Sequence, residues 1–430
     1  CCFFTTSIVM FNIEKFNEIR ENLEKHNNTG KIVAISKNHP LESVLEAVQQ
    51  SAGDVRDSVA LPPKLYTSER WFDFERAAIW DQEWICVGHA SLIPNAGDYF
   101  SITVIDDPLL IVRGEDHKVR ALSAVCQHRG HLLGDAVGNT KHLICPFHSW
   151  SYDLTGKLTS APEMGAHIKL ADLRESHSLP SLKATEWNGF LFVCFSDSPP
   201  PLSSRLVRLS EEVRNHHMDQ LIATPTVDWE DQMWNWKFMH ENAIEPYHTA
   251  YLHQKVHDFA PSTKVTFAEW LDDDDGAIYH PTGFNHVDGN FTPNFKCMFP
   301  VLDTLTDDER KRVMFACVMP NLFFAAVPDG VLYYLLLPKG ANNFTIRVGF
   351  LYPESTLQLP TFDATFPSVV AGLELFNNQD VEANISAHTG LKSRFARRGR
   401  YAPKEETLPQ LNKWLLKRYR SFALEQGLIS

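Results

Sequence analysis

Cys126-Gln127-His128-Arg129-Gly130 and, further on, Cys145-Pro146-Phe147-His148-Ser149-Trp150 are the stretches that decide how this chain is read. Each short run offers one thiolate and one imidazole. Mixed pairs of this kind give each of two metal ions one ligand from each loop. That suits a [2Fe-2S] cluster with one iron on Cys126 and Cys145 and the other on His128 and His148. Neutral imidazoles in place of two thiolates lower the negative charge and lift the reduction potential to roughly −150 to +300 mV, against about −400 mV for all-cysteine plant-type clusters. A centre of this kind passes single electrons. Structural zinc also accepts two Cys and two His, but zinc fingers usually pair Cys with Cys and His with His along the chain.

Around these loops the pattern is that of an all-β module. Short β-branched and aromatic runs, Trp84–Val87, Tyr99–Val104, Leu109–Val112 and Phe190–Val193, are separated by Gly and Asp turns. Pro199-Pro200-Pro201 is the sharpest boundary, because three prolines continue neither strand nor helix. Beyond it the chain is mixed. Residues 228–253 are aromatic and helix-like, residues 312–318, 331–337 and 344–350 read as strands, and 367–389 and 405–425 read as helices. A further helix is expected over 11–25, from Phe16, Ile19 and Leu23, with Asn27-Asn28-Thr29-Gly30 as its stop.

A second cluster lies in the mixed part, at Glu245-Pro246-Tyr247-His248 followed by His253. Glu245 and His248 share a helix face, whereas His248 and His253 do not on a regular helix, so one ion could take both only at a π-bulge or a helix end. Pro246 makes such an irregularity expected. Two imidazoles and one carboxylate on one iron form the facial triad of non-haem Fe(II) oxygenases, with positions left open for O2 and substrate. The missing carboxylate is sought in Asn377–Glu382, first at Asp380 and second at Glu382.

Together these residues resemble the catalytic alpha subunits of the Rieske non-haem iron oxygenases. The resemblance runs from about Trp71 onward. It rests on the cluster motif, Asn235-Trp236-Lys237, Glu241-Asn242, the Glu245/His248/His253 run, Gln379-Asp380 and Gly390-Leu391-Lys392-Ser393-Arg394. It implies an α+β chain in which an all-β Rieske domain (81–198) is inserted ahead of a helix-grip catalytic domain of antiparallel sheet plus helices (65–80 with 202–430), after an N-terminal extension (1–64). It implies a mononuclear Fe(II) on His248, His253 and Asp380. Glu245 would bridge a cluster histidine and an iron-ligand histidine across a subunit boundary, within a head-to-tail homotrimer. NAD(P)H would act through a separate flavin and iron-sulfur reductase, since this chain has no Gly-rich nucleotide-binding motif. The second cysteine pair that forms a disulfide in respiratory-chain Rieske proteins is absent.

Two departures from the pattern stand out. The family more often has Gly at Ser149, and ring-dihydroxylating members typically have Asp at Glu245. Glutamate there resembles the branch acting on quaternary ammonium compounds such as choline, carnitine or glycine betaine, by hydroxylation with C–N cleavage or N-demethylation. The alternatives are an aromatic ring-hydroxylating alpha subunit and an electron carrier without catalysis of its own.

Composition bounds these readings. A chain of 430 residues, 44% hydrophobic and 22% charged, has room for two or three globular domains. Its net charge of −13 argues against nucleic acid or an anionic membrane as partner. No apolar run of about 18 residues occurs, so no membrane span is expected. Of eight cysteines only Cys126 and Cys145 have ligand spacing, which points to a reducing, cytoplasmic setting. Cys1–Val9 is apolar but lacks the basic start of a secretory signal, and Met10 is expected to be the initiator, with residues 1–9 not native.

Overall fold

The computed structural model describes residues 40–254 and 258–429. The helix expected over 11–25 and the question of Met10 lie outside the described residues. The first described helix, α1 (Pro40–Gln49), buries Leu41, Leu45 and Val48 on one stripe. Then α2 (Glu69–Glu75), capped by the Ser68 hydroxyl, runs into a π-helical turn, Arg76–Trp80.

Ten strands follow: β1 (Ile85–His89), β2 (Asp98–Val104), β3 (Asp107–Arg113), β4 (Val119–Ser123), β5 (Val137–Asn139), β6 (Leu143–Ile144), β7 (Ser151–Tyr152), β8 (Leu158–Ser160), β9 (Ser181–Trp187) and β10 (Phe190–Cys194). They form a sheet ordered β1-β10-β9-β4-β3-β2-β5 and a small one ordered β6-β7-β8. Every pairing is antiparallel.

Beyond the prolines come β11 (Ile222–Ala223), β12 (Val227–Gln232), α3 (Trp236–Ile244), α4 (Thr249–Leu252), β13 (Ala277–Gly283), β14 (Arg312–Val318), β15 (Leu322–Val327), β16 (Gly330–Gly340), β17 (Asn343–Tyr352), α5 (Phe362–Leu391) and α6 (Thr407–Glu425). The second sheet is ordered β11-β17-β16-β15-β14-β13, with β12 also on β17. An all-β unit is thus followed by an antiparallel sheet with helices laid against it, the α+β arrangement expected.

Three details differ from the sequence reading. Residues 227–232 are a strand, because Val227, Asp228 and Trp229 pair with Val348, Arg347 and Ile346 on β17, and helix begins only at Trp236. Helix α5 starts at Phe362 and carries Pro367 in its second turn, near enough to the start that few hydrogen bonds are lost. Strand β13 was not read from the sequence, and β15 is a further strand within the 313–352 stretch that reads as several strands. Among the described residues no helix is long and apolar enough to cross a membrane.

Segments far apart in the chain meet in the core. Lys237 and Glu75, both fully buried, pair at 2.8 and 2.9 Å, and Glu75 also takes hydrogen bonds from Trp71 Nε1 (3.1 Å), Trp236 Nε1 (3.2 Å) and the Tyr419 hydroxyl. Such a pair tolerates burial because its other lone pairs are satisfied. On α6, Leu408, Leu411, Trp414, Leu415 and Tyr419 recur at helical spacing and are buried, which holds the helix on this core.

Candidate iron centres

The two loops are near copies of each other. In one, Cys126 N donates to His131 O (2.9 Å) and Gly130 N to Cys126 O (3.0 Å); in the other, Cys145 N donates to Trp150 O (2.8 Å) and Ser149 N to Cys145 O (2.9 Å). Each turn needs a left-handed residue, supplied by Gly130 (φ 75°) and by Ser149 (φ 58°). That conformation explains why glycine suits the position of Ser149.

Both sulfurs lie on buried residues, and the His128 and His148 rings stand 4.7 Å apart. The Nδ1 atoms of His128 and His148 are buried without a hydrogen-bond partner. Buried ring nitrogens are rarely left so, and two of them beside two buried thiols fit a cluster held through Nδ1 of each imidazole and Sγ of each cysteine. Trp150 stacks on His128 (4.7 Å, 5°), and the Tyr152 hydroxyl lies 3.4 Å from Cys126 Sγ while accepting Gln127 N at 3.1 Å. Burial and the neighbouring Cys145 push the Cys126 thiol up, so a cation beside it favours its thiolate. Leu132, Ile144 and Phe147 stand exposed around these loops.

The second group is assembled at a helix break. Asn235 caps α3, its side chain accepting from Lys237 N (3.1 Å). The helix ends at Ile244, and Glu245 is extended (φ −105°, ψ 122°) ahead of Pro246. Glu245 then folds onto the next turn: Oε2 accepts from Tyr247 N (2.5 Å) and His248 N (3.1 Å), and Oε1 takes His248 Nδ1 at 2.6 Å. His248 begins α4 and His253 ends it. The irregularity expected at Pro246 is therefore a break between two helices.

From the opposite side α5 supplies Gln379, whose Oε1 takes His253 Nδ1 at 2.7 Å, and Asp380, whose Oδ1 takes Asn242 Nδ2 at 3.1 Å. With both Nδ1 atoms engaged, the Nε2 atoms face the carboxylate. Asp380 Oδ1 is 3.0 Å from His253 Nε2 and 3.6 Å from His248 Nε2. One ligand atom from each of His248, His253 and Asp380 lies within 4.8 Å of the others, a donor set and spacing that fit one divalent iron. Burial opposes protonation of His248, but Glu245 and Asp380 outweigh it and hold its pKa above the ordinary value. A cation is the natural occupant of such a field. Glu382 is exposed and outside the group.

The triad borders a cleft of about 700 Å3, including the part open to solvent. Aromatic rings dominate its walls: Phe291, Phe315, Phe323, Phe376 and Tyr334. The orienting partners Gln379 and Asn242 fell within stretches that the sequence singled out. His280 and Thr282, also on the wall, carried no signal in sequence, because a strand histidine has no spacing that marks it.

Residues 83–182 match the Rieske [2Fe-2S] domain family, and residues 210–421 the family of ring hydroxylating alpha subunits (catalytic domain). The first match removes the zinc alternative. The glycine betaine monooxygenase oxygenase subunit of Chromohalobacter salexigens is 32% identical over 219 residues, 50% of this chain and 48% of that protein, so the match spans about half of that relative. The carnitine monooxygenase oxygenase subunit of Acinetobacter baumannii is 34% identical over 354 residues, 77% of this chain and 85% of the relative. A solved quaternary ammonium Rieske monooxygenase has the same fold, with a TM-score of 0.72 at 22% identity over 87% of this chain and 98% of the other. Naphthalene 1,2-dioxygenase from Rhodococcus follows at a TM-score of 0.71 and 19% identity, over 88% of this chain and 97% of the other.

Proposed function

The chain belongs to the Rieske non-haem iron oxygenase alpha subunits, and on that premise we propose that it is the terminal oxygenase of a system that oxidises a small quaternary ammonium compound. The observation that carries this reading is the convergence of His248 Nε2, His253 Nε2 and Asp380 Oδ1 on one point beside an aromatic cleft. When bound, the cluster supplies electrons one at a time and the Fe(II) supplies the open positions where O2 is reduced next to substrate.

The chain's own residues do the arranging. Glu245 and Gln379 hold the Nδ1 protons, which fixes the tautomers and turns both Nε2 lone pairs toward the metal. Asn242 orients Asp380. Glu245, with 12% of its side chain exposed, is the group through which an electron would reach His248 from a cluster histidine of a neighbouring subunit. The exposed apolar rim of Leu132, Ile144 and Phe147 is the surface proposed to seat that neighbour in a homotrimer. Electrons come from NAD(P)H through a flavin and iron-sulfur reductase. The chain divides for this purpose into a cluster unit (81–198) and a catalytic unit (65–80 with 202–430), and we place it in the cytoplasm.

The substrate class rests on Glu245 at the bridge, on the two relatives, and on the five aromatic rings, whose faces attract a methylammonium head. One oxygen atom enters a C–H bond next to nitrogen, the other leaves as water with two electrons and two protons, and the resulting hydroxylated ammonium collapses as its C–N electron pair returns to nitrogen, giving a tertiary amine, an aldehyde and a proton. The test is aldehyde release from a panel of quaternary amines and aromatic acids, using holoenzyme and a surrogate reductase. Aldehyde from the amines supports the reading; turnover confined to aromatic acids refutes it in favour of ring hydroxylation. About three Fe per two sulfides per chain is expected, whereas two per two would mark an electron carrier.

A further inference from the structure

The sheet wall of the cleft is apolar except at three residues. Tyr334 is one of them, and its hydroxyl is already engaged with Asn377 (2.9 and 3.2 Å). The other two are His280 and Thr282 on β13, two residues apart and therefore on the same face of the strand. Thr282 Oγ1 lies 3.1 Å from His280 Nδ1, so that nitrogen is held. On a residue only 2% exposed, Nε2 is buried and makes no well-aligned hydrogen bond, although the Ile244 and Pro281 carbonyls are near enough to act on the ring.

What sets His280 apart from the other buried histidines is its place on the cleft wall. His89 engages Ser91 Oγ and the Met218 carbonyl, and His240 engages Cys317 Sγ and the Pro320 carbonyl. His216 and His388 each leave Nδ1 unpaired, but neither lines the cleft. An unpaired ring nitrogen in a substrate cleft is a position waiting for a ligand atom.

Burial holds the His280 imidazole uncharged, pushing its pKa down to about 4, with the carbonyls of Ile244 and Pro281 acting in the other direction. If the Thr282 hydroxyl donates to Nδ1, the ring proton sits on Nε2, a donor that suits a neutral oxygen. A carboxylate is a poor match. It would leave water without a counter-charge from His280, among described lining residues that include Glu245 and Asp380 and no Lys or Arg.

We propose that His280, backed by Thr282, binds a neutral oxygen of the substrate and so selects a quaternary ammonium alcohol over a betaine carboxylate. The inference rests on the function proposed above and narrows it. Three trimethylammonium ligands differing in the fourth substituent, 2-hydroxyethyl, carboxymethyl and propyl, are titrated calorimetrically into holoenzyme. The alcohol is expected to bind about ten-fold or more tightly than either of the others. His280→Leu should bring the alcohol down to the propyl analogue, while His280→Gln, which keeps a donor, retains part of the preference. Should the Leu variant not fold, Thr282→Val and the wild-type ranking decide instead. Equal binding of the three, tightest binding of the carboxylate, or an equal loss for all three in the variants overturns the inference and leaves the oxygenase reading standing. No binding by any of them removes the quaternary ammonium reading and this inference with it.

Discussion

Replacing Gln379 by leucine isolates the contribution of one orienting hydrogen bond to iron binding. Gln379 Oε1 accepts from His253 Nδ1 at 2.7 Å, and His253 is 2% exposed, so water cannot readily take its place. Leucine keeps most of the volume and removes the acceptor. A buried N–H that loses such a partner costs about 1–3 kcal/mol, and partners behind metal ligands typically contribute 10–100-fold in affinity. The two estimates agree on Fe(II) binding weaker by about 1.4–2.7 kcal/mol. The assay is Fe(II) titration of the mononuclear site against a competing chelator, with the visible absorbance of the cluster as internal control. Gln379→Glu supplies an acceptor again and should restore affinity. Affinity within two-fold of wild type in the Leu variant, or loss of cluster absorbance in step with the iron, would refute the reasoning. Equal losses in the Leu and Glu variants would show that packing alone is at work.

Three further outcomes are expected. Asp380→Ala should abolish mononuclear iron and turnover while leaving the cluster spectrum intact, as checked by metal analysis and absorbance. Glu241 is raised from 4.5 to about 7, by burial first and against the pull of the Tyr66 hydroxyl at 2.6 Å and of Lys237. A carboxyl raised on folding contributes stability below pH 4.5 that is lost as pH climbs through about 7. Glu241→Gln should therefore be more stable than wild type at pH 8, by about 1–3 kcal/mol, and gain nothing at pH 4.5, as read by thermal unfolding. At Ser149, whose φ is 58°, glycine should be tolerated whereas valine should destabilise the loop by about 1–2 kcal/mol and shed the cluster, followed by absorbance during denaturant titration.

Sequence made the cluster legible because the four residues proposed to hold it sit in two short local runs whose spacing already implies the geometry. Strand 312–318 and helix 405–425 were also readable, the first as a short apolar run that is buried on both faces and the second from apolar residues recurring at helical spacing. The second site was harder. Its candidate ligands are 132 residues apart at the widest, and only the family pattern joined Asp380 to the histidines. What stayed hidden follows one physical rule: residues whose role depends on a partner far along the chain carry no local mark. Glu75 has no local feature that marks it off from an ordinary surface acid, yet it lies at 0% exposure against Lys237. Residues 228–232 read as helix because of their aromatic neighbours, and only pairing with β17 makes them a strand.

The Glu75 network also sets an order of events during synthesis. Its last donor, Tyr419, lies 344 residues further along the chain. At translation speeds of about 5–20 residues per second, Glu75 waits roughly 20–70 s for that partner. The strands between β1 and β10 close on themselves well before then. The Rieske domain is thus fully synthesised long before the segment that precedes it meets its final partner on α6.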